Sequence, residues 1–203
     1  ALNFFDANVS IPYKEEVISH IDVLSEGAKI IGSVNTIVCN GDILKGYNTI
    51  AIGFMDALTD AGYDVEGKSA LVLGTGGAAR AIVFILNWLR TSSVFVSGRN
   101  PQKTGNIVDC FGGKAIPLYD LENKSLAINI VVNATSVSSP DESPEMASLF
   151  ERFKIEDCDL VLDLNYGRSK NFWRDLARRN RAQFMDGLST LAYQSRRTLA
   201  LWT

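Results

Sequence analysis

The chain reads as an α/β protein, a parallel sheet with helices packed on it, joined to a smaller α/β unit at its start. Three observations predict this. Residues 69–73 (SALVL) and 128–133 (INIVVN) are nearly unbroken apolar runs, the pattern of strands buried on both faces of a parallel sheet. From residue 69 onward such runs alternate with segments of helical periodicity, which implies βαβ units. A glycine cluster, Gly74, Gly76 and Gly77, follows the first run directly and opens a helical segment.

The elements follow in order. Residues 15–24 carry Val17, Ile18, Ile21 and Leu24 at helical spacing. Residues 33–39 read as a strand, Asn40-Gly41 as a hairpin turn, and 43–47 as the returning strand. A helix over 49–61 has Ile52, Phe54, Met55 and Leu58 as its apolar stripe, and Gly62 ends it. The composition shifts at Gly67. Strands are predicted at 69–73, 93–97, 115–118, 128–133, 160–164 and 182–185, and helices at 78–89, 104–111, 170–179 and 188–202. The resulting division is a substrate-binding unit at 1–64, a nucleotide-binding unit at 65–185, and a last helix from 186 to 203 returning to the first unit.

Composition excludes several function classes. Hydrophobic residues make up 46% and charged residues 21% of the 203, ordinary values for a globular protein. A net charge of −3 provides no electrostatic footprint for nucleic acid or an anionic membrane. The basic residues Arg174, Arg178, Arg179, Arg181, Arg196 and Arg197 read as solvated helix faces. No apolar stretch reaches the ~18 residues of a membrane span. Cys39, Cys110 and Cys158 fit no zinc or redox spacing, so reduced thiols of a cytoplasmic protein are expected. His20 is the single histidine and reads as a surface residue; no metal-ligand set is present.

The glycine cluster carries the chemistry. Gly74-Thr75-Gly76-Gly77-Ala78-Ala79 fits G-x-G-x-x-A between a strand and a helix, the context of a Rossmann-type dinucleotide loop. Gly74 permits the turn, Gly76 lets a pyrophosphate approach the backbone, and Ala79 is small enough for the helix from Ala78 to pack on the sheet; the free N–H groups at that helix start attract anions. The second strand ends Ser97-Gly98-Arg99-Asn100-Pro101-Gln102-Lys103 with no acid. An acid there would bind a ribose 2′-hydroxyl; Arg99 and Lys103 instead suit a 2′-phosphate. NADP is therefore the expected cofactor.

Several segments, in order, resemble the shikimate dehydrogenase family. Asn8 to Lys14 is similar to N-V-[ST]-x-P-x-K, Gly32 to Thr36 to G-A-V-N-T, and Gly46 to Gly53 to G-x-N-T-D-x-x-G. Gly74 to Arg80 is similar to G-x-G-G-A-x-R, Asn133 to Ser136 to N-A-T-[PS], Asp163 with Tyr166 to D-x-x-Y, and Asp186 to Gln194 to the family's closing helix. The resemblance implies reversible reduction of 3-dehydroshikimate to shikimate with NADPH, in aromatic amino acid biosynthesis. It implies Lys14 as the acid/base residue, and Asn35, Asn48, Tyr166 and Gln194 around a shikimate-like ring carboxylate. Asn100, Thr135 and Gly187 join the glycine loop, Arg99 and Lys103 on the cofactor.

The sequence departs from the pattern in three places. Ile50 stands where the family has its catalytic aspartate, and it accepts no proton. The family's opening segment, whose Ser-x-Ser holds the substrate carboxylate, has no match before Ala1. A homodimer or a second chain supplying that segment is the expectation. Thr190 replaces a frequent methionine near the nicotinamide. Two further readings stay open: a catalytically impaired member that binds NADP or a pathway metabolite, and a dehydrogenase of a related ring such as quinate.

Overall fold

The computed structural model describes residues 6–122 and 125–203; residues 1–5, the start of the unit expected at 1–64, lie outside them. Strands β1 (Asp6–Asn8), β2 (Val23–Leu24), β3 (Thr36–Asn40) and β4 (Ile43–Tyr47) form one sheet in the order β1-β3-β4-β2. β3 and β4 pair antiparallel with Asn40 opposite Ile43. The loop is thus Gly41-Asp42, with Gly41 at φ 64°, a value glycine adopts without steric cost.

The helix expected at 15–24 is instead a 3₁₀ turn, Glu16–His20, followed by β2. Val17, Ile18, Ile21 and Leu24 still pack on the cluster of Ala28, Val34 and Ile37. Pairing of Val23 and Leu24 with Lys45 and Gly46 satisfies the backbone in extended form, and the apolar side chains remain covered, so the sheet overrides helical spacing. Helix α1 (Glu26–Ile31) follows, capped by the Ser25 hydroxyl on the Ala28 N–H and ended by Gly32 in the left-handed region. It is too short for periodicity to reveal, although its cap residues stand in the sequence.

Helix α2 (Ile50–Asp60) leads to the second part. Eight strands follow: β5 (Ser69–Leu73), β6 (Ser93–Ser97), β7 (Lys114–Ala115), β8 (Leu126–Ala127), β9 (Ile130–Asn133), β10 (Ile155–Glu156), β11 (Leu160–Asp163) and β12 (Gln183–Met185). β8 and β10 pair with each other. The other six form an all-parallel sheet in the order β12-β11-β9-β5-β6-β7. Helices α3 (Gly77–Trp88), α4 (Pro101–Phe111), α5 (Pro144–Arg152), α6 (Phe172–Asn180) and α7 (Gly187–Trp202) complete the chain.

Alternate residues of each strand feed two cores. Ala70, Val72, Ile130 and Val132 pack with Phe54, Ile82 and Leu86; Leu71, Leu73, Val131 and Val161 pack with Phe150, Trp173 and Leu176. This two-sided burial explains the unbroken apolar runs. β7 is shorter than the expected 115–118 because Pro117 has no N–H to donate, and a 3₁₀ turn, Leu118–Glu122, replaces it. α5 was not legible from apolar spacing, although Ser143 caps it and Pro144 occupies its first turn.

All three cysteines are free. Burial, with the Asp159 carboxylate beside it, pushes the Cys158 thiol up to about 11, whereas Cys110 is exposed. Thiolate is the reactive form, so brief iodoacetamide treatment of native protein near neutral pH is expected to label Cys110 and spare Cys158. Equal labelling by mass spectrometry would contradict this burial.

Candidate active site

The order of the parallel sheet reverses between β5 and β9, and ligands of open α/β sheets bind beyond the strand ends at such a point. The loops leaving these two strands meet there. Gly74 has φ +122°, and a Cβ on it would lie 2.8 Å from the Ala134 carbonyl oxygen, so only glycine allows the approach. A Cβ on Gly76 would meet nothing; a side chain there would fill open space instead. No side chain caps the first turn of α3, which leaves its N–H groups available to an anion.

A cleft of about 470 Å³ opens over these loops. Gly74, Gly76, Gly77, Ala78, Arg99, Asn100, Lys103 and Thr135 all line it. Lys14 also lines it, together with Ile11, Pro12 and Glu15. Asn100 also caps α4 by accepting from the Lys103 N–H, which fixes the turn that carries both cations. Among the described residues neither Arg99 nor Lys103 is held in an ion pair. The Ser97 hydroxyl, in the cleft wall, is buried without a hydrogen-bond partner. Free cations, an uncapped helix start and an orphaned hydroxyl fit a phosphate-bearing dinucleotide.

The connections between strands of the four-stranded sheet reach the glycine loop directly. A Cβ on Gly77 would lie 2.3 Å from the Ser33 hydroxyl and 3.0 Å from the Lys14 Cβ. Arg80 of α3 donates to the Ile31 carbonyl at the end of α1 at 2.6 Å. Partial burial lowers the Lys14 ammonium below the ordinary lysine value. No carboxylate pairs with Lys14 among the described residues.

Behind Lys14 lies a buried polar network. The Asn35 amide accepts from the Thr49 N–H at 2.7 Å and donates to the Thr49 hydroxyl at 2.9 Å. It also donates to the Gln194 Oε1 of α7 at 3.5 Å. The Thr198 hydroxyl of α7 joins Thr36 at 3.0 Å and Thr49 at 3.3 Å, and Asn8 donates to Thr36. Asn48 donates to the Ser33 carbonyl and accepts from the N–H groups of Ile50 and Ala51, capping α2. The sequence pointed to Asn35, Asn48 and Gln194; the threonine cluster went unseen, because residues 162 apart meet only through the return of α7.

Five further residues singled out from the sequence have less direct placements. Tyr166 is exposed on the loop after β11, and the residues lining the cleft do not include it. Gly187 begins α7, where a Cβ would lie 2.1 Å from the Leu164 carbonyl oxygen; it too is outside the cleft lining. Thr190 is buried with its hydroxyl unpartnered. Ile50 is 3% exposed and belongs to the core with Ile31 and Phe54. Asp56, further along α2, pairs with Arg197 of α7 at 3.0 Å and so faces away from Lys14's cleft.

α2 and α7 cross closely at Gly53, where a Cβ would lie 2.8 Å from the Gln194 backbone nitrogen. Alanine in a helix interior gains roughly 0.5–1 kcal/mol over glycine, while overpacking costs about 1–3 kcal/mol. Gly53→Ala is therefore expected to lower the melting temperature and to move Gln194 away from Asn35. A variant melting above the parent would show that the helices separate freely.

Comparison with known proteins follows the same outline. A family model described as the shikimate dehydrogenase substrate binding domain matches residues 1–37, and one described as shikimate / quinate 5-dehydrogenase matches residues 57–168. The shikimate dehydrogenase (NADP(+)) of Moorella thermoacetica is 35% identical over 214 residues, spanning 100% of this chain and 71% of that protein. The crystal structure of shikimate dehydrogenase from Aquifex aeolicus superposes with a TM-score of 0.83 at 32% identity, covering 98% of this chain and 72% of that one. Shikimate 5-dehydrogenase of Thermus thermophilus, solved in complex with NADP(H) and shikimate, gives 0.81 at 35% identity, with 98% and 73% covered.

Proposed function

The chain belongs to the shikimate dehydrogenase family, and we propose that it interconverts 3-dehydroshikimate and shikimate with NADP(H). The observation that carries this reading is that one cleft is lined by Lys14, the glycine loop, Arg99 and Lys103 together. Arg99, Asn100 and Lys103 hold the 2′-phosphate; Gly74, Gly76, Gly77, Ala78 and Thr135 border the pyrophosphate. NADP supplies the hydride-transferring group when bound. Lys14 gives a proton to the carbonyl oxygen during reduction and removes it from the hydroxyl during oxidation. Asn35 and Gln194, held by the threonine cluster, orient the ring hydroxyls; Asn48 holds the start of α2 beside them; Tyr166 and Gly187 border the ring and the nicotinamide.

The division at 1–64, 65–185 and 186–203 belongs to this reading. The four-stranded sheet ends at Tyr47, the six-stranded sheet begins at Ser69, and α7 returns to pack on α2. Free cysteines support a cytoplasmic setting. No helix among the described residues is long and apolar enough to cross a membrane. Exposed Leu188, Leu191 and Leu199 on α7 support coverage of that helix by a second copy or a second chain.

The test is calorimetric binding of NADP⁺ and NAD⁺, with NADP⁺ reduction by shikimate followed alongside. Arg99→Gln is expected to weaken NADP⁺ by about tenfold or more, the scale of one or two charge-assisted bonds, and to leave NAD⁺ unchanged. Equal losses for both dinucleotides would remove Arg99 from the 2′-phosphate. A chain that binds neither would overturn the cofactor reading.

A further inference from the structure

Asp163, at the end of β11, is fully buried. No cation pairs with it among the described residues. Its carboxyl accepts four hydrogen bonds instead. Oδ1 receives Asn133 Nδ2 at 2.8 Å, the Asn165 N–H at 3.0 Å and Asn165 Nδ2 at 3.2 Å; Oδ2 receives Asn171 Nδ2 at 2.7 Å. A buried carboxyl is tolerated only when so satisfied.

The two asparagines on Oδ1 both hold Thr135. Asn133 Oδ1 accepts from the Thr135 N–H at 3.1 Å and from its hydroxyl at 2.7 Å. Asn165 Nδ2 donates to the Thr135 carbonyl at 2.9 Å. Asn133 thus holds the N–H of the Ala134–Thr135 peptide, the one that Gly74 approaches, and Asn165 holds the carbonyl of the next peptide; Thr135 lines the cleft. Asn171, on Oδ2, acts elsewhere: its side-chain oxygen caps α6 on the N–H groups of Trp173 and Arg174.

We propose that Asp163 is a positioning residue for the dinucleotide: through Asn133 and Asn165 it clamps the loop after β9 against the glycine loop and so sets the width of the cleft between them. The inference rests on the NADP reading above. Asp163 touches no cleft surface itself, so it acts entirely through the two asparagines. The Oδ1 and Oδ2 sides separate cofactor positioning from plain structural support.

The experiment measures NADP⁺ affinity by calorimetry, at a temperature where circular dichroism shows each variant folded. Asp163→Asn sets an amide against amide donors and is expected to weaken NADP⁺ by about tenfold, the effect of one lost bond to a charged acceptor. Asn165→Ala removes one of the two holds on Thr135 and is expected to weaken NADP⁺ severalfold; it keeps the proposal testable if Asp163→Asn does not fold. Asn171→Ala is expected to lower the melting temperature yet leave NADP⁺ affinity as in the parent. Unchanged affinity in folded Asp163→Asn or Asn165→Ala, with the parent binding NADP⁺, overturns this inference alone. So does a loss in Asn171→Ala matching theirs. A parent that fails to bind NADP⁺ overturns the cofactor reading and this inference with it.

Discussion

Replacing Lys14 by methionine is expected to reduce turnover of shikimate with NADP⁺ by roughly 10²–10⁴-fold, the usual contribution of a general acid/base group. Methionine keeps most of the apolar stem that lies near Gly77 and removes the ammonium. NADP⁺ binding is expected to persist, because the glycine loop, Arg99 and Lys103 remain. The pH dependence gives a second signature. Burial lowers the Lys14 ammonium from the ordinary 10.5. Oxidation of shikimate requires neutral Lys14 to accept a proton, so the rate should rise with pH through an ionisation below 10.5. Stability follows the same sign. A lysine whose value is lowered on folding opposes folding while protonated; this penalty is complete below the folded value and gone above 10.5. Between those limits the parent should gain stability with pH relative to the methionine variant. A variant that keeps the rising limb of the rate profile would remove Lys14 from proton transfer.

Much of this site could be read directly from the sequence because its signals are local. SALVL followed by Gly74-Thr75-Gly76-Gly77 combines a two-sided strand with a turn only glycine permits, and both properties belong to a few consecutive residues. The end of β6 is local in the same way: Arg99 and Lys103 sit on a turn fixed by Asn100. Contacts across long separations left no such mark. Thr198 reads as a polar position on an amphipathic helix, yet it is 3% exposed and bonded to Thr36 of the first sheet and Thr49 at the start of α2. Asp163 ends an apolar strand like many surface acids, and its burial follows from Asn133 at the end of β9 and from Asn165 and Asn171 on the connection between β11 and α6. Residues 15–24 misled for a different reason: the spacing of apolar side chains is met equally by a 3₁₀ turn and a short edge strand when both cover the same cluster.

Ile50→Asp is expected to raise shikimate oxidation by an order of magnitude or more, within the ~10²–10⁴ range of an acid/base partner. Ile50 occupies the first turn of α2, where the family motif N-T-D has aspartate. Its N–H is held by Asn48, Asn48 holds Ser33, and Ser33 abuts the same Gly77 as Lys14. A carboxylate introduced here joins the layer of groups behind Lys14, which has no acidic partner of its own. The folding terms oppose the change. Removing a buried isoleucine forfeits about 1.5–3 kcal/mol, and a carboxylate at a position only 3% exposed adds to the loss. The start of a helix returns roughly 0.3–1 kcal/mol to an anion. The net effect is destabilising, so the variant should melt earlier than the parent, and rates are compared at a temperature where it is still folded. Initial rates and melting curves on the same preparations separate the two effects. A folded variant that binds NADP⁺ but gains no rate would mean that the apolar contact of Ile50 with Ile31 and Phe54 is part of how this site works, with Lys14 transferring the proton unaided.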